Sequence, residues 1–297
     1  MADVILKNDE LTVGISYHGA ELRSVKDNKT GYEYMWQADP EFWGRTSPVL
    51  FPVVGQYKDK ESIYDGVTYT LGQHGFARDM EFVRIAEPDE NHDSAALFML
   101  TDSVDTLKVY PFRFRLFIKY VLSGRSIKVM WKVENINDKK MYFSIGAHPA
   151  FNCDSDRDSL IFDTNKDLKV NVLSDKGVLS SKVKTVEVTD SQIKMSAELF
   201  SEDALIIEDE QIHEVTVARE DGTRLVKVSF TAPLCGIWSP VGKNAPFVCI
   251  EPWYGRADRE DFSKKLEERE YGNVLEPDEA FEAEYDIEFP TLKSEKK

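Results

Sequence analysis

The sequence predicts an all-β protein, a large antiparallel β-sandwich. Two observations carry this. Apolar and polar residues alternate with a period of two over many short segments, and helical periodicity is almost absent. Near the C-terminus Ala283, Tyr285, Ile287 and Phe289 alternate with Glu282, Glu284, Asp286 and Glu288, the pattern of a strand with one wet face.

Taken in chain order, Leu11, Val13, Ile15 and Tyr17 open the same pattern, and β-rich runs follow at 67–71 and 95–100. Phe112, Phe114, Leu116, Ile118 and Tyr120 share one side of the next strand, opposite Arg113, Arg115 and Lys119. Ile127, Val129, Trp131 and Val133 then repeat the alternation. The intervening Ser123-Gly124-Arg125-Ser126 joins the two as a hairpin. Further runs lie at 168–173, 204–207, 214–218, 226–230 and 247–250, punctuated by Gly, Asn, Asp and Pro. A short helix is expected at 261–268, with Phe262 and Leu266 on one face, and a single turn at 196–200. Strands in this number pack as sheet on sheet. With no linker and no repeat, residues 1–290 read as one domain and 291–297 as a polar tail.

The formal charge of −16 disfavours nucleic acid, which is held by clustered Lys and Arg, and disfavours an anionic membrane surface. No apolar run is long enough to span a bilayer. Three cysteines, Cys153, Cys235 and Cys249, are too few for a disulfide framework, and no CxxC pair suggests zinc. With an acidic first stretch unlike a signal peptide, the expected location is the cytoplasm. Nothing specifies the oligomeric state.

Four segments break the strand pattern, each dense in Gly, Pro and aromatics around a polar group. They are Trp43–Pro48, Gln73–Arg78, Gly146–Asn152 and Glu251–Gly255. Aromatics beside polar groups suit sugars, whose C–H faces are apolar and whose rims carry hydroxyls. Among the five histidines, His74 and His148 stand in such segments, whereas His18, His92 and His213 have ordinary surroundings. Glu251 follows an apolar run and precedes Pro252, which places it at a strand end. In a chain with 53 acidic residues this position alone is weak evidence.

Together and in this order, WGRTSPVLFPVVG (43–55), QHGFAR (73–78), GAHPAFN (146–152) and FVCIEPWYGRAD (247–258) resemble the aldose 1-epimerase (galactose mutarotase) superfamily, in its LacX-like branch. LFSEDALII (199–207) and GIWSP (236–240) are weaker echoes. The resemblance implies the galactose mutarotase-like supersandwich and a small aldose as partner. It casts Glu251 as the base on the C1 hydroxyl and His148 as the acid on the ring oxygen. His74 becomes a second catalytic histidine, which binds the sugar and shares the proton work, and Arg45, Arg78 and Asp203 hold hydroxyls. Such ring opening requires no cofactor and no metal, and no phosphate loop, GxSxG or HExxH motif occurs. Ala150 and Cys153 replace the Tyr and Leu of typical galactose mutarotases, which leaves the sugar open. A hexose-6-phosphate epimerase, a silent sugar-binding protein and a glycosidase are the competing readings.

Overall fold

A computed structural model describes residues 2–86 and 94–292. It is almost entirely antiparallel β-structure, in two large sheets. The nine-stranded sheet runs in the order Gln192–Lys194, Ser159–Phe162, Glu214–Ala218, Arg224–Phe230, Ala280–Glu288, Ser126–Asn135, Phe114–Ser123, Ala95–Thr101, Val83–Ile85. The expected hairpin is present, pairing Leu122 with Ile127 and Leu116 with Val133, so the apolar residues of both strands share the inner face. Gly124 takes φ 54° at its tip, a left-handed conformation that glycine adopts without strain.

The eight-stranded sheet contains Leu179–Val186, Leu168–Leu173, Leu205–Ile207, Leu234–Trp238, Phe247–Tyr254, Ile145–Ala147 and Val49–Leu50 in that order. Ala150–Asn152 also pairs with Phe247–Tyr254. Its central strands, Leu205–Ile207, Leu234–Trp238 and Phe247–Tyr254, are buried on both faces. Along its central strand Val248 and Ile250 point into the main core, with Val129, Phe114 and Ile118 of the other sheet. Phe247, Cys249 and Trp253 point the opposite way, into two smaller apolar clusters. A strand covered on both sides reads as a continuous apolar run, which is why 247–250 lacks alternation.

Several expectations change. Residues 261–268 form no α-helix; only Leu266–Glu268 makes a 3-10 turn. The apolar face there has just Phe262 and Leu266, too little to sustain a longer helix. An unanticipated helix occupies Val104–Val109. Ser103 caps it by accepting from the Thr106 backbone, while Thr106 Oγ1 accepts from the Ser103 backbone. Leu292, assigned to the tail, is buried in the main core. Among the described residues no helix is long and apolar enough to cross a membrane.

Candidate active site

Pro252 does not end its strand. The strand continues to Tyr254, and Glu251 lies in its middle, 1 % exposed, rather than at its end. The reason is non-local. Ile145–Ala147 pairs with residues 253–254, and Ala150–Asn152 pairs with 247–249, so the neighbouring chain leaves the ladder at His148-Pro149. Ile250 N–H still reaches Pro149 O, at 3.2 Å. The nitrogen of Pro252, two residues on, points to the same side and meets the gap, where no ladder hydrogen bond is lost. The same detour brings His148 over Glu251, with Nε2 3.3 Å from Oε2.

Because side chains alternate, Glu251 shares its face with Trp253 and Cys249. A cavity of about 290 Å³ opens there, lined by Trp43, His74, Arg78, His148, Asp203, Trp238, Glu251 and Trp253, among others. The Trp253 indole lies flat on the sheet over Gly146 and Gly236. A Cβ on either glycine would come within 2.6 and 2.4 Å of the ring, so both positions must lack one. Trp43 stacks on the His148 imidazole at 4.8 Å, and Trp238 and His74 meet it edge-on at 5.6 and 5.7 Å.

The loop carrying Trp43 is fastened from beneath. Buried Glu21 accepts from the backbone N–H groups of Thr46 and Ser47 at 2.9 and 2.7 Å. Thr46 O in turn accepts from Ala150 N–H, which ties this loop to the His148 segment. His74 sits in the left-handed region at φ 64°, a conformation costly for a residue with a side chain and concentrated at functional sites. Its backbone N–H donates to Gly55 O, and Gly55 N–H donates to His74 Nδ1 at 3.1 Å. That second bond leaves the proton on Nε2. Gly75 follows because a Cβ there would lie 2.2 Å from Phe51 O.

The electrostatics favour neutrality. Burial pushes the His148 imidazole down to about 3, with Arg78 and Arg45 acting in the same direction against a backbone hydrogen bond. Burial also lifts the Glu251 carboxyl well above the ordinary carboxylate range, and the charge of Asp203 adds to the effect. His74 is pushed well below its usual value, first by burial and then by His148. Between these limits the Glu251–His148 pair holds one proton, which rests on the carboxyl and passes to the imidazole only across the 3.3 Å between Oε2 and Nε2. Glu251 Oε2 and His148 Nδ1 have no hydrogen-bond partner among the described residues.

Of the residues singled out in the sequence, Glu251, His148, His74, Arg78 and Asp203 line one cavity. Arg45 stands off this wall and pairs with Asp79 at 2.8 Å. His18 pairs with Glu81 at the surface, His213 packs beside Phe230, and His92 lies outside the described residues. Sequence reasoning missed Trp253 as part of the wall. It also missed that His148, Cys249 and Glu251 place donor atoms within 4.8 Å of one another, a group that contrasts with the expected absence of a metal site. Positions 249, 251 and 253 share a strand face by period two, and that was the available signal.

The site sets a buried carboxyl–imidazole pair, groups of the kind that exchange protons, among tryptophan faces in a hollow of about 290 Å³. The chain belongs to the aldose 1-epimerase family, whose model matches residues 3–286. It is 33% identical to the plasmid-encoded protein LacX of Lactococcus lactis subsp. lactis, over 91% of each chain. A galactose mutarotase related enzyme from Lactobacillus acidophilus superposes with a TM-score of 0.90 at 36% identity, over 98% of both chains. A galactose mutarotase-like protein from Lactobacillus casei ATCC 334 gives the same TM-score at 28% identity, over 97% of this chain and 99% of that one.

Proposed function

We propose that this protein is a mutarotase acting on a free hexose, of which galactose and glucose are the first candidates, with Glu251 and His148 exchanging protons at C1 and the ring oxygen. The observation that carries the reading is the 3.3 Å approach of two buried groups, a carboxyl and an imidazole, on the wall of a tryptophan-lined cavity. Glu251 in its carboxylate form removes the C1 hydroxyl proton. Imidazolium His148 delivers a proton to O5 as the C1–O5 bond breaks and the C1 carbonyl forms. The pair is then carboxyl and neutral imidazole, still with one proton in total. Rotation about C1–C2 and the reverse transfers close the other anomer and restore the first form. The two tautomers of the pair are thus the start and end of each half-reaction, and general acid–base catalysis of this kind needs no third group.

His74, with its proton fixed on Nε2, is a donor to a sugar oxygen, and Asp203 and Arg78 hold hydroxyls from the sides. Arg45 acts from the rim. The wall favours a neutral sugar over a phosphorylated one. Arg78 is the only cation among the lining residues, and Asp203 and Glu251 would oppose a phosphate. NMR exchange between anomers, measured for glucose, galactose and glucose 6-phosphate, tests the assignment. Exchange should be accelerated for at least one free hexose and far less for the phosphate. The reverse preference would overturn the substrate class.

A further inference from the structure

We propose that Glu251, His148 and Cys249 together form a binding site for a thiophilic divalent cation of the zinc type, and that such an ion shuts the catalytic pair off from sugar. Cys249 precedes Glu251 by two residues on the same strand and so projects to the same face, paired through the backbone with Ala150 on the far side of the His148-Pro149 detour. The imidazole nitrogen, the thiol sulfur and a carboxylate oxygen all lie within 4.8 Å of one another, and all three side chains are buried. An ion centred among atoms so spaced stands no more than about 2.8 Å from each, so shifts of at most about 0.5–0.8 Å reach the 2.0–2.3 Å of Zn–N, Zn–O and Zn–S bonds. The 3.3 Å between His148 Nε2 and Glu251 Oε2 already equals the edge of a tetrahedron around such an ion.

The donor set selects the metal. One sulfur, one nitrogen and one oxygen suit zinc or cobalt, whereas magnesium and calcium require six or more oxygens. Charge balance selects it too. A dication with one thiolate, one carboxylate and a neutral imidazole leaves the buried centre without net charge, which meets the cost of burial. Glu251 Oε2, in a side chain only 1 % exposed, has no hydrogen-bond partner among the described residues and lies 3.3 Å from His148 Nε2. His148 and Glu251 also line the cavity, so an ion they hold is reached from it, as in sites that keep an open ligand position.

Binding releases the Cys249 thiol proton and any proton held by Glu251 to solvent, so affinity rises with pH. The binding itself stands on geometry; its inhibitory effect rests on the mutarotase reading.

The test titrates metal-free protein with Co²⁺ and reads absorption. One equivalent should bring the intense visible bands of tetrahedral cobalt and a near-ultraviolet thiolate-to-cobalt band, and Zn²⁺ should bleach both. Cys249→Ala should remove the thiolate band and weaken binding about tenfold or more. Cys249→Ser is the second variant should the alanine form fail to fold. In anomer exchange, Zn²⁺ should inhibit the wild type competitively with sugar, and Cys249→Ala should keep basal turnover while needing about tenfold more Zn²⁺ for the same inhibition. Absence of any thiolate band with cobalt, or its persistence in Cys249→Ala, overturns the site. A wild type with the band but no anomer exchange overturns the mutarotase reading and leaves the metal site standing.

Discussion

Two buried carboxyl groups less than ten residues apart in the chain have opposite surroundings. Asp258 is fully engaged. Its Oδ1 accepts from Arg269 Nε at 2.8 Å and its Oδ2 from Lys58 N–H at 2.8 Å. Arg269 continues to Ser144 Oγ and lies over the Tyr57 ring. Beside it Arg256 and Glu208 form a second buried pair at 2.6 Å. Glu251, equally buried, meets the His148 imidazole and the Trp253 indole, and its Oε2 has no hydrogen bond among the described residues. The contrast separates architecture from chemistry. A carboxylate with matched partners holds the 255–270 segment against the sheet, and one left incomplete is free to take a proton.

The comparison can be broken most severely at Glu251 and His148. Glu251→Gln and His148→Asn should each lower turnover by about 10²–10⁴ while the protein stays folded, measured by anomer exchange and by circular dichroism. Arg269→Met should do the opposite. It strands Asp258 as an uncompensated buried charge and should cost about 3–5 kcal/mol of stability in urea unfolding. Equal damage to turnover and stability in both cases would erase the distinction.

A finer test uses pH. Glu251 has a folded-state pKa above its unfolded value near 4.3, so its contribution is fully present below about pH 4 and lost as pH rises towards the folded value. Relative to Glu251→Gln, the wild type should therefore lose stability at up to about 1.4 kcal/mol per pH unit above pH 4.3. Parallel stability curves for the two proteins between pH 4 and 8 would contradict a raised carboxyl. The smallest effect is expected at the rim. Arg45→Gln removes a partly exposed pair with Asp79 and should change stability by less than about 1 kcal/mol, with KM moving more than kcat.

Much of this was legible in the sequence. Period-two alternation marked the strands from Phe114 to Asn135 and from Ala280 to Glu288, because each has one face in the core and one in water. The strand through Glu251 was only half legible. Proline is a stop by local rules, and its tolerance here depends on a gap in a neighbour about a hundred residues away. The resemblance found Glu251, His148, His74, Arg78 and Asp203, and all five line one cavity. Cys249 was dismissed because cysteines were weighed by spacing to other cysteines rather than by strand face. The helix at Val104–Val109 was missed although its cap, Ser103 with Thr106, is written in the chain; its apolar face is too short to show a period.

The most direct test of the central claim is the optical rotation of freshly dissolved α-D-galactose and α-D-glucose, followed at low buffer concentration with wild type and with Glu251→Gln. The account predicts faster decay to the equilibrium rotation with the wild type for at least one sugar, and a rate close to the uncatalysed one with Glu251→Gln. An unaccelerated decay with the wild type for both sugars, or full acceleration with Glu251→Gln, would contradict it.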